Sequence, residues 1–208
     1  MKRRFFKGDP DEPIIAHRKE IMSRSGPFSP LGSPAILGKF NAAFLSLVGA
    51  TPFVGLVVVI DKPAHLGRYS NPLNPYHYCL VALLQRYCFW LGQRTGDVMG
   101  ESRGTMEDER LKAAYLALYE GGDWHNRADF YQARLTSKEI KLKPKPKNIA
   151  GLQLADLLAH PAKQRCLLRN GISTQEGEFG QQVADALWKK LYHCSDGKTE
   201  GWGEVYIP

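Results

Sequence analysis

The sequence predicts an α/β fold with a largely parallel sheet core, on three observations. Residues 52–60, PFVGLVVVI, form a β-branched run with no polar residue, the pattern of a strand buried on both faces. Helical periodicity follows over 74–93 and again over 105–119, while 97–101 and 138–143 read as short strands. Strand, helix, strand, helix, strand, helix requires crossover connections, and crossovers make neighbouring strands parallel.

The 208 residues fit one domain, 1–208, with an irregular N-terminal segment 1–38, a core 39–165 and a C-terminal helix and tail 166–208. The first 38 residues are rich in Pro and Gly, and only Ile14 to Met22 suits a short helix. Phe40, Ala43, Phe44, Leu47 and Val48 recur at helical spacing in 39–48, and Gly49 should end that helix. Asp61 and Lys62 stop the apolar strand, and a Gly-, Pro- and Asn-rich loop leads to Asn74-Pro75, a cap followed by a first-turn proline. Thr105 and Asp108 have the spacing of a capping box. A further helix is expected over 149–165, with Pro161 kinking it or ending it at His160. The last amphipathic helix spans 179–192, and the tail GWGEVYIP either adds an edge strand or stays loose.

Composition narrows the function classes. With 43% hydrophobic and 24% charged residues the chain reads as a soluble globular protein, and no apolar run approaches the roughly 18 to 20 residues of a membrane span, so no membrane partner is expected. The opening MKRRFFKGDPDEP lacks the apolar centre of a signal peptide. Cys79, Cys88, Cys166 and Cys194 form no CxxC pair, which argues against a disulfide framework or zinc knuckle and makes a reducing cytoplasm the expected location. The net charge of +7 is uneven: 97–123 holds seven acidic residues against three basic ones, whereas 134–147 holds six basic residues and only Glu139 opposing them. A positive strip beside a negative cluster suits a nucleic-acid partner, although solvated surfaces share the pattern.

Three acids stand where chemistry is commonly mounted. Asp61 follows the strongest strand, Glu101 ends the next, and Asp156 lies on the nearly all-apolar helix over 149–165, where burial between a sheet and another layer would require a metal, an Arg or a hydrogen-bond donor opposite it. Hard carboxylate ligands suit Mg²⁺ or Mn²⁺. The competing reading is that strand-end acids cap the next turn and that Asp156 is satisfied by backbone or Arg. Gln153 and His160 share the helical sector of Asp156 and are accessory candidates, as is His17 beside Arg18 and Lys19. Arg103, two residues from Glu101, has the fork for phosphate, or it neutralises Glu101 or Glu107. Lys141, Lys143, Lys145 and Lys147 alternate, so an extended segment would project all four ammonium groups from one side, as a phosphate track or as protection of a sheet edge. No HxH, HExxH, GxSxG, P-loop or GxGxxG occurs.

GLQLADLLAHP at 151–161, VMGESRG at 98–104 and His17 to Ile21 together resemble the family called domain of unknown function 3800, over about Ile14 to Arg165. The resemblance implies a ribonuclease H-like mixed sheet flanked by helices and a divalent-metal-dependent nuclease with water as nucleophile. It assigns Asp156 as the acid on the site's C-terminal helix and Glu101 as the strand-end acid facing it, with Asp61 a weaker transfer. The family opens with a strand ending in Asp-Glu-Ser-Gly, which nothing before Phe5 matches. The expected consequence is a sheet and a metal site each short of one member: either the chain starts late relative to the functional protein, or it is a degraded or repurposed copy left inactive, or a homodimer or partner chain supplies the strand. The alternative is a non-catalytic nucleic-acid-binding or protein-interaction module that keeps the fold.

Overall fold

The computed structural model describes residues 1–8, 13–68, 74–172 and 176–208. In chain order the helices are α1 (Lys2–Phe5), α2 (Arg18–Ser23), α3 (Pro34–Ala50), α4 (Lys62–Arg68), α5 (Pro75–Leu91), α6 (Thr105–Gly121), α7 (Ala128–Gln132), α8 (Ala150–Arg169) and α9 (Glu178–Trp188). The strands are β1 (Val57–Ile60), β2 (Met99–Glu101), β3 (Lys141–Lys143) and β4 (Glu204–Ile207), and 3-10 turns occupy Gly26–Gly32 and Lys145–Lys147. Helices dominate a mixed α/β chain, and both strand pairs are parallel: β1 with β4, and β2 with β3. The expected single sheet is thus two small ones among the described residues.

The chain divides into two interleaved compact units, the first from Met1–Gly55 and Lys145–Lys190, the second from Leu56–Pro144 and Leu191–Pro208. The described elements of the first unit are all helical. Phe6, Phe28, Leu31 and Phe40 form one buried cluster there, with the Phe6 and Phe28 rings edge to face at 4.9 Å. α8 packs on α9 and α9 on α3, burying Leu158, Ala162 and Cys166 of α8 and Val183, Ala184 and Leu187 of α9. Helix packing replaces the sheet expected against α8, and Ala155 and Ala159 of that helix are exposed.

In the second unit, α5 begins as its sequence dictates, with the Asn74 side chain accepting the Tyr76 N–H at 2.9 Å and Pro75 in the first turn. It ends at Gly92, whose φ of +62 suits a residue without Cβ. Leu80, Leu84 and Cys88, on one helical face, bury against Tyr115 and Leu118 of α6, Tyr131 of α7, Leu135 and Ile140. Asp123 ties the α6–α7 turn, accepting from the His125 and Asn126 N–H groups and the Tyr131 hydroxyl. Burial alone would raise the Asp123 carboxyl, but these hydrogen bonds outweigh it and hold it below the ordinary range.

Several expectations are corrected by geometry. The apolar run 52–60 yields only Val57–Ile60 as strand, and only Val59 is buried, because β1 has one partner strand rather than a sheet on both sides. Residues 62–68, expected as loop, form α4; the rest of that predicted loop, 69–73, lies outside the described residues. The amino-terminal region carries α1, α2 and a 3-10 turn, and α3 starts at Pro34 rather than at 39. Thr105 is not a cap. Asp108 instead reaches back to the Ser102 hydroxyl and the Arg103 N–H, which anchors the β2–α6 loop. Pro161 lies inside α8, which continues to Arg169. The tail forms β4, and α9 ends at Trp188 rather than 192. No single described helix is long and apolar enough to cross a membrane.

Leu84 is 1% exposed at the centre of the second unit's core. Leu84→Ala should lower unfolding free energy by about 2–5 kcal/mol in urea titrations followed by circular dichroism, the usual loss of burial plus residual cavity.

Candidate functional site

The motif helix meets the amino-terminal segment through side chains. Residues 13–17 are outside regular structure, so their backbone groups need partners from elsewhere. Gln153, in the first turn of α8 and 7% exposed, supplies one and ties it to two side chains: its Oε1 accepts the Ala16 N–H at 2.8 Å and the Lys2 ammonium at 2.9 Å, while its Nε2 donates to Asn148 Oδ1 at 2.6 Å. Lys2 also donates to Asn148 Oδ1 at 2.9 Å and to the Ile14 carbonyl. One turn along α8, Asp156 Oδ2 accepts the Arg18 N–H at 3.0 Å. His17, the residue before α2, makes no capping bond with its own side chain, so Asp156 satisfies that helix start from another helix.

Spacing makes this arrangement possible. Residues three apart on a helix share a face, and alternate N–H groups of an extended segment point the same way, so Gln153 and Asp156 match Ala16 and Arg18. Lys2 and Asn148 were not foreseen. Asn148 carries a weak signal, being a residue type tolerant of positive φ two residues before a helix, and its φ is +52. Lys2 carries none, because its role depends on chain folding back over about 150 residues. Burial pushes its ammonium below the ordinary lysine range.

His160 lies on the next turn of α8. Its Nδ1 is 3.6 Å from Glu176 Oε1, and Gln164 Nε2 is 3.5 Å from its other ring nitrogen. The Glu176 side chain is only 9% exposed. Burial pushes Glu176 up, with Arg18 and Arg165 opposing, while burial and then Arg18 and Lys163 push His160 down. Both shifts favour the neutral forms, so the pair is better described as two desolvated groups in contact than as an ion pair. His17 Nδ1 lies 3.6 Å from Glu20 Oε1 on its own helix.

The acids expected to share a metal divide between the units, with Asp156 in the first and Asp61 and Glu101 in the second. Asp61 stands directly after β1 and caps α4, its Oδ1 accepting the Ala64 N–H at 3.2 Å, with the Tyr206 hydroxyl 3.5 Å from Oδ2. Glu101 ends β2, half-buried, with Lys143 beside it in the parallel register. Among the described residues no group of three or more His, Cys, Asp or Glu side chains is placed to hold a metal ion. Mg²⁺ and Mn²⁺ draw several oxygen ligands, and one carboxylate oxygen of Asp61 and one of Asp156 are already taken by backbone N–H groups.

The lysine strip is also redistributed. Lys141 and Lys143 lie on β3, but the chain turns into a 3-10 helix over Lys145–Lys147, so the period of two stops at Pro144. Lys141 pairs with Asp97, which hydrogen bonds from Lys141 and Thr136 hold below the ordinary carboxylate range. Arg103 is exposed, its guanidinium centred 5.0 Å from the Tyr76 ring. A basic groove that sequence reasoning missed lies in the first unit, about 840 Å³ in volume and lined by Lys2, Arg3, Arg4, Lys7, Phe5 and Asn148 among others.

If Asp156 acts as a cap, Asp156→Asn should keep the oxygen acceptor and most of the stability, whereas Asp156→Ala should cost about 0.5–2 kcal/mol by urea titration; equal losses would remove the capping role. Glu176 gives a pH signature. Its raised folded-state pKa means that ionisation costs stability as pH rises through that value, so Glu176→Gln should be more stable than the native chain at pH 7, with the difference vanishing below the ordinary glutamate range in thermal melts.

Compared with protein-family models, curated proteins and solved structures, the chain matches none.

Proposed function

We propose that the protein binds nucleic acid without a catalytic metal, and that the helix resembling a nuclease motif now positions a basic amino-terminal segment. The observation that carries this reading is the Gln153 amide, which holds both Lys2 and Ala16 and so fixes the segment whose Arg3, Arg4 and Lys7 line the groove. Three exposed cations around a concave surface, with Phe5 partly buried beside them, suit a phosphate backbone, and such contacts add affinity without reading sequence. The net charge of +7 favours the same class of partner. A ribonuclease H-like ancestry of the domain of unknown function 3800 type belongs to the proposal, supported by Gln153-Leu154-Ala155-Asp156 and by two parallel strand pairs. Four free cysteines support a reducing, cytoplasmic setting.

A metal-dependent nuclease using Mg²⁺ or Mn²⁺ is the second reading. It is favoured by the position of Asp61 and Glu101 at the carboxyl ends of β1 and β2, where open α/β sheets place reacting groups. Completion of the site by a second copy or another chain goes with that reading.

One experiment separates the two. Fluorescence anisotropy of labelled single- and double-stranded DNA and RNA is followed in EDTA and in Mn²⁺, with the products run on a gel. Binding should be equal in both buffers and the strands intact. Replacing Arg3, Arg4 and Lys7 together by Ser should weaken binding and reduce the slope of log K against log salt by about two to three, at roughly 0.7–0.9 per lost phosphate contact. Mn²⁺-dependent cleavage abolished by Glu101→Gln would overturn the metal-free reading in favour of the nuclease.

A further inference from the structure

Three segments of the second unit converge on one exposed phenol. Tyr76 lies in the first turn of α5 and is 51% exposed. Lys62, the first residue of α4, places its ammonium 3.3 Å from the Tyr76 hydroxyl oxygen and 4.6 Å from the ring centroid. Arg103, on the β2–α6 loop, centres its guanidinium 5.0 Å from the same ring. Both cations are exposed, where water and mutual repulsion would ordinarily hold like charges apart.

Two acids next to these cations in sequence or on the same loop are occupied by other donors. Asp61 caps α4, and Asp108 accepts from the Ser102 hydroxyl and the Arg103 N–H, fixing the loop that carries Arg103 rather than pairing with its guanidinium. Among the described residues no ion pair joins Lys62 or Arg103 to a carboxylate. The Tyr76 oxygen accepts from Lys62, which leaves its O–H available as a third donor. Hydrogen bonding and charge from Arg103, then Lys62, push that phenol below the ordinary tyrosine range, which makes it a stronger donor to an anion.

We propose that Lys62, Tyr76 and Arg103 form a phosphate-binding clamp. Arg103 offers a planar fork to two phosphate oxygens, Lys62 a point charge and Tyr76 a neutral donor, a set that matches a tetrahedral oxyanion better than a planar carboxylate. The aromatic ring holds both cations in place before the ligand arrives, so less side-chain freedom is lost on binding. The clamp deepens the nucleic-acid reading by naming a phosphate contact, and it rests on that reading only for the source of the phosphate.

The test is calorimetric titration of the full chain with inorganic phosphate, and separately with a short single-stranded DNA. Phosphate should bind saturably, with affinity falling at least about tenfold in the Lys62→Gln/Arg103→Gln double variant and about threefold in Tyr76→Phe, and holding in Lys138→Gln, which removes an exposed cation elsewhere in the unit. Absence of saturable phosphate binding, or equal affinity in the native chain and the double variant, overturns the clamp. Loss of both phosphate and DNA affinity in the double variant supports it with the nucleic-acid backbone as source; loss of phosphate affinity alone supports it with a free phosphate compound. If native protein binds phosphate but no DNA, the nucleic-acid reading falls and the clamp stands.

Discussion

The first unit depends on a single buried amide. Among the described residues, Gln153 is the side chain that meets Lys2, the irregular segment at Ala16 and Asn148, two residues before its own helix. Removing it would leave an ammonium, a backbone N–H and an amide each short of a partner, and every such buried group costs about 1–3 kcal/mol. A folded domain is stable by only about 5–15 kcal/mol, so one polar contact set of this kind decides whether the amino-terminal segment is ordered at all. Packing of Phe6 against Phe28 and Phe40 acts on the same segment, but apolar contact is non-directional and would tolerate a slipped register. The amide fixes which residue lies where.

This gives the motif helix a different meaning from the one its residues suggest. A Gln and an Asp three apart on one face form a pattern for presenting two acceptors, and acceptors serve a metal ion or a pair of N–H groups equally well. Here they serve Ala16 and Arg18. His160, one turn further, extends the same face but turns to Glu176, whose burial raises its pKa and disfavours the charged form. The polar stripe on α8 thus works as an internal scaffold, and the cations it holds in place are the part that meets solvent.

Legibility in the sequence followed the range of the interactions involved. The start of α5 was readable because Asn74, Pro75 and the Leu80 to Leu91 face act within one helix. β2, β3 and α6 were readable for the same reason, and the α/β character with parallel strands follows from their order. The split into two small sheets was not, because β1 looks identical in sequence whether it has one neighbour or two; only Val59 is buried, and the surrounding valines were apolar without being interior. The strip over 141–147 failed at Pro144, where local chain direction changes without any change in charge pattern. The roles of Lys2, Asn148 and Glu176 were not written locally at all, since each is defined by a partner brought near through folding.

The pairing of β1 with β4 joins Val57 to Glu204 and Ile60 to Ile207. During synthesis the apolar strand therefore emerges long before its partner exists. At about 5–20 residues per second that interval lasts on the order of ten seconds, during which a β-branched edge has no strand beside it. Closing so long a loop is entropically slow but only weakly dependent on its length, so the delay is set mainly by translation. β4 therefore acts as a latch on β1, which has no strand beside it until β4 has been made.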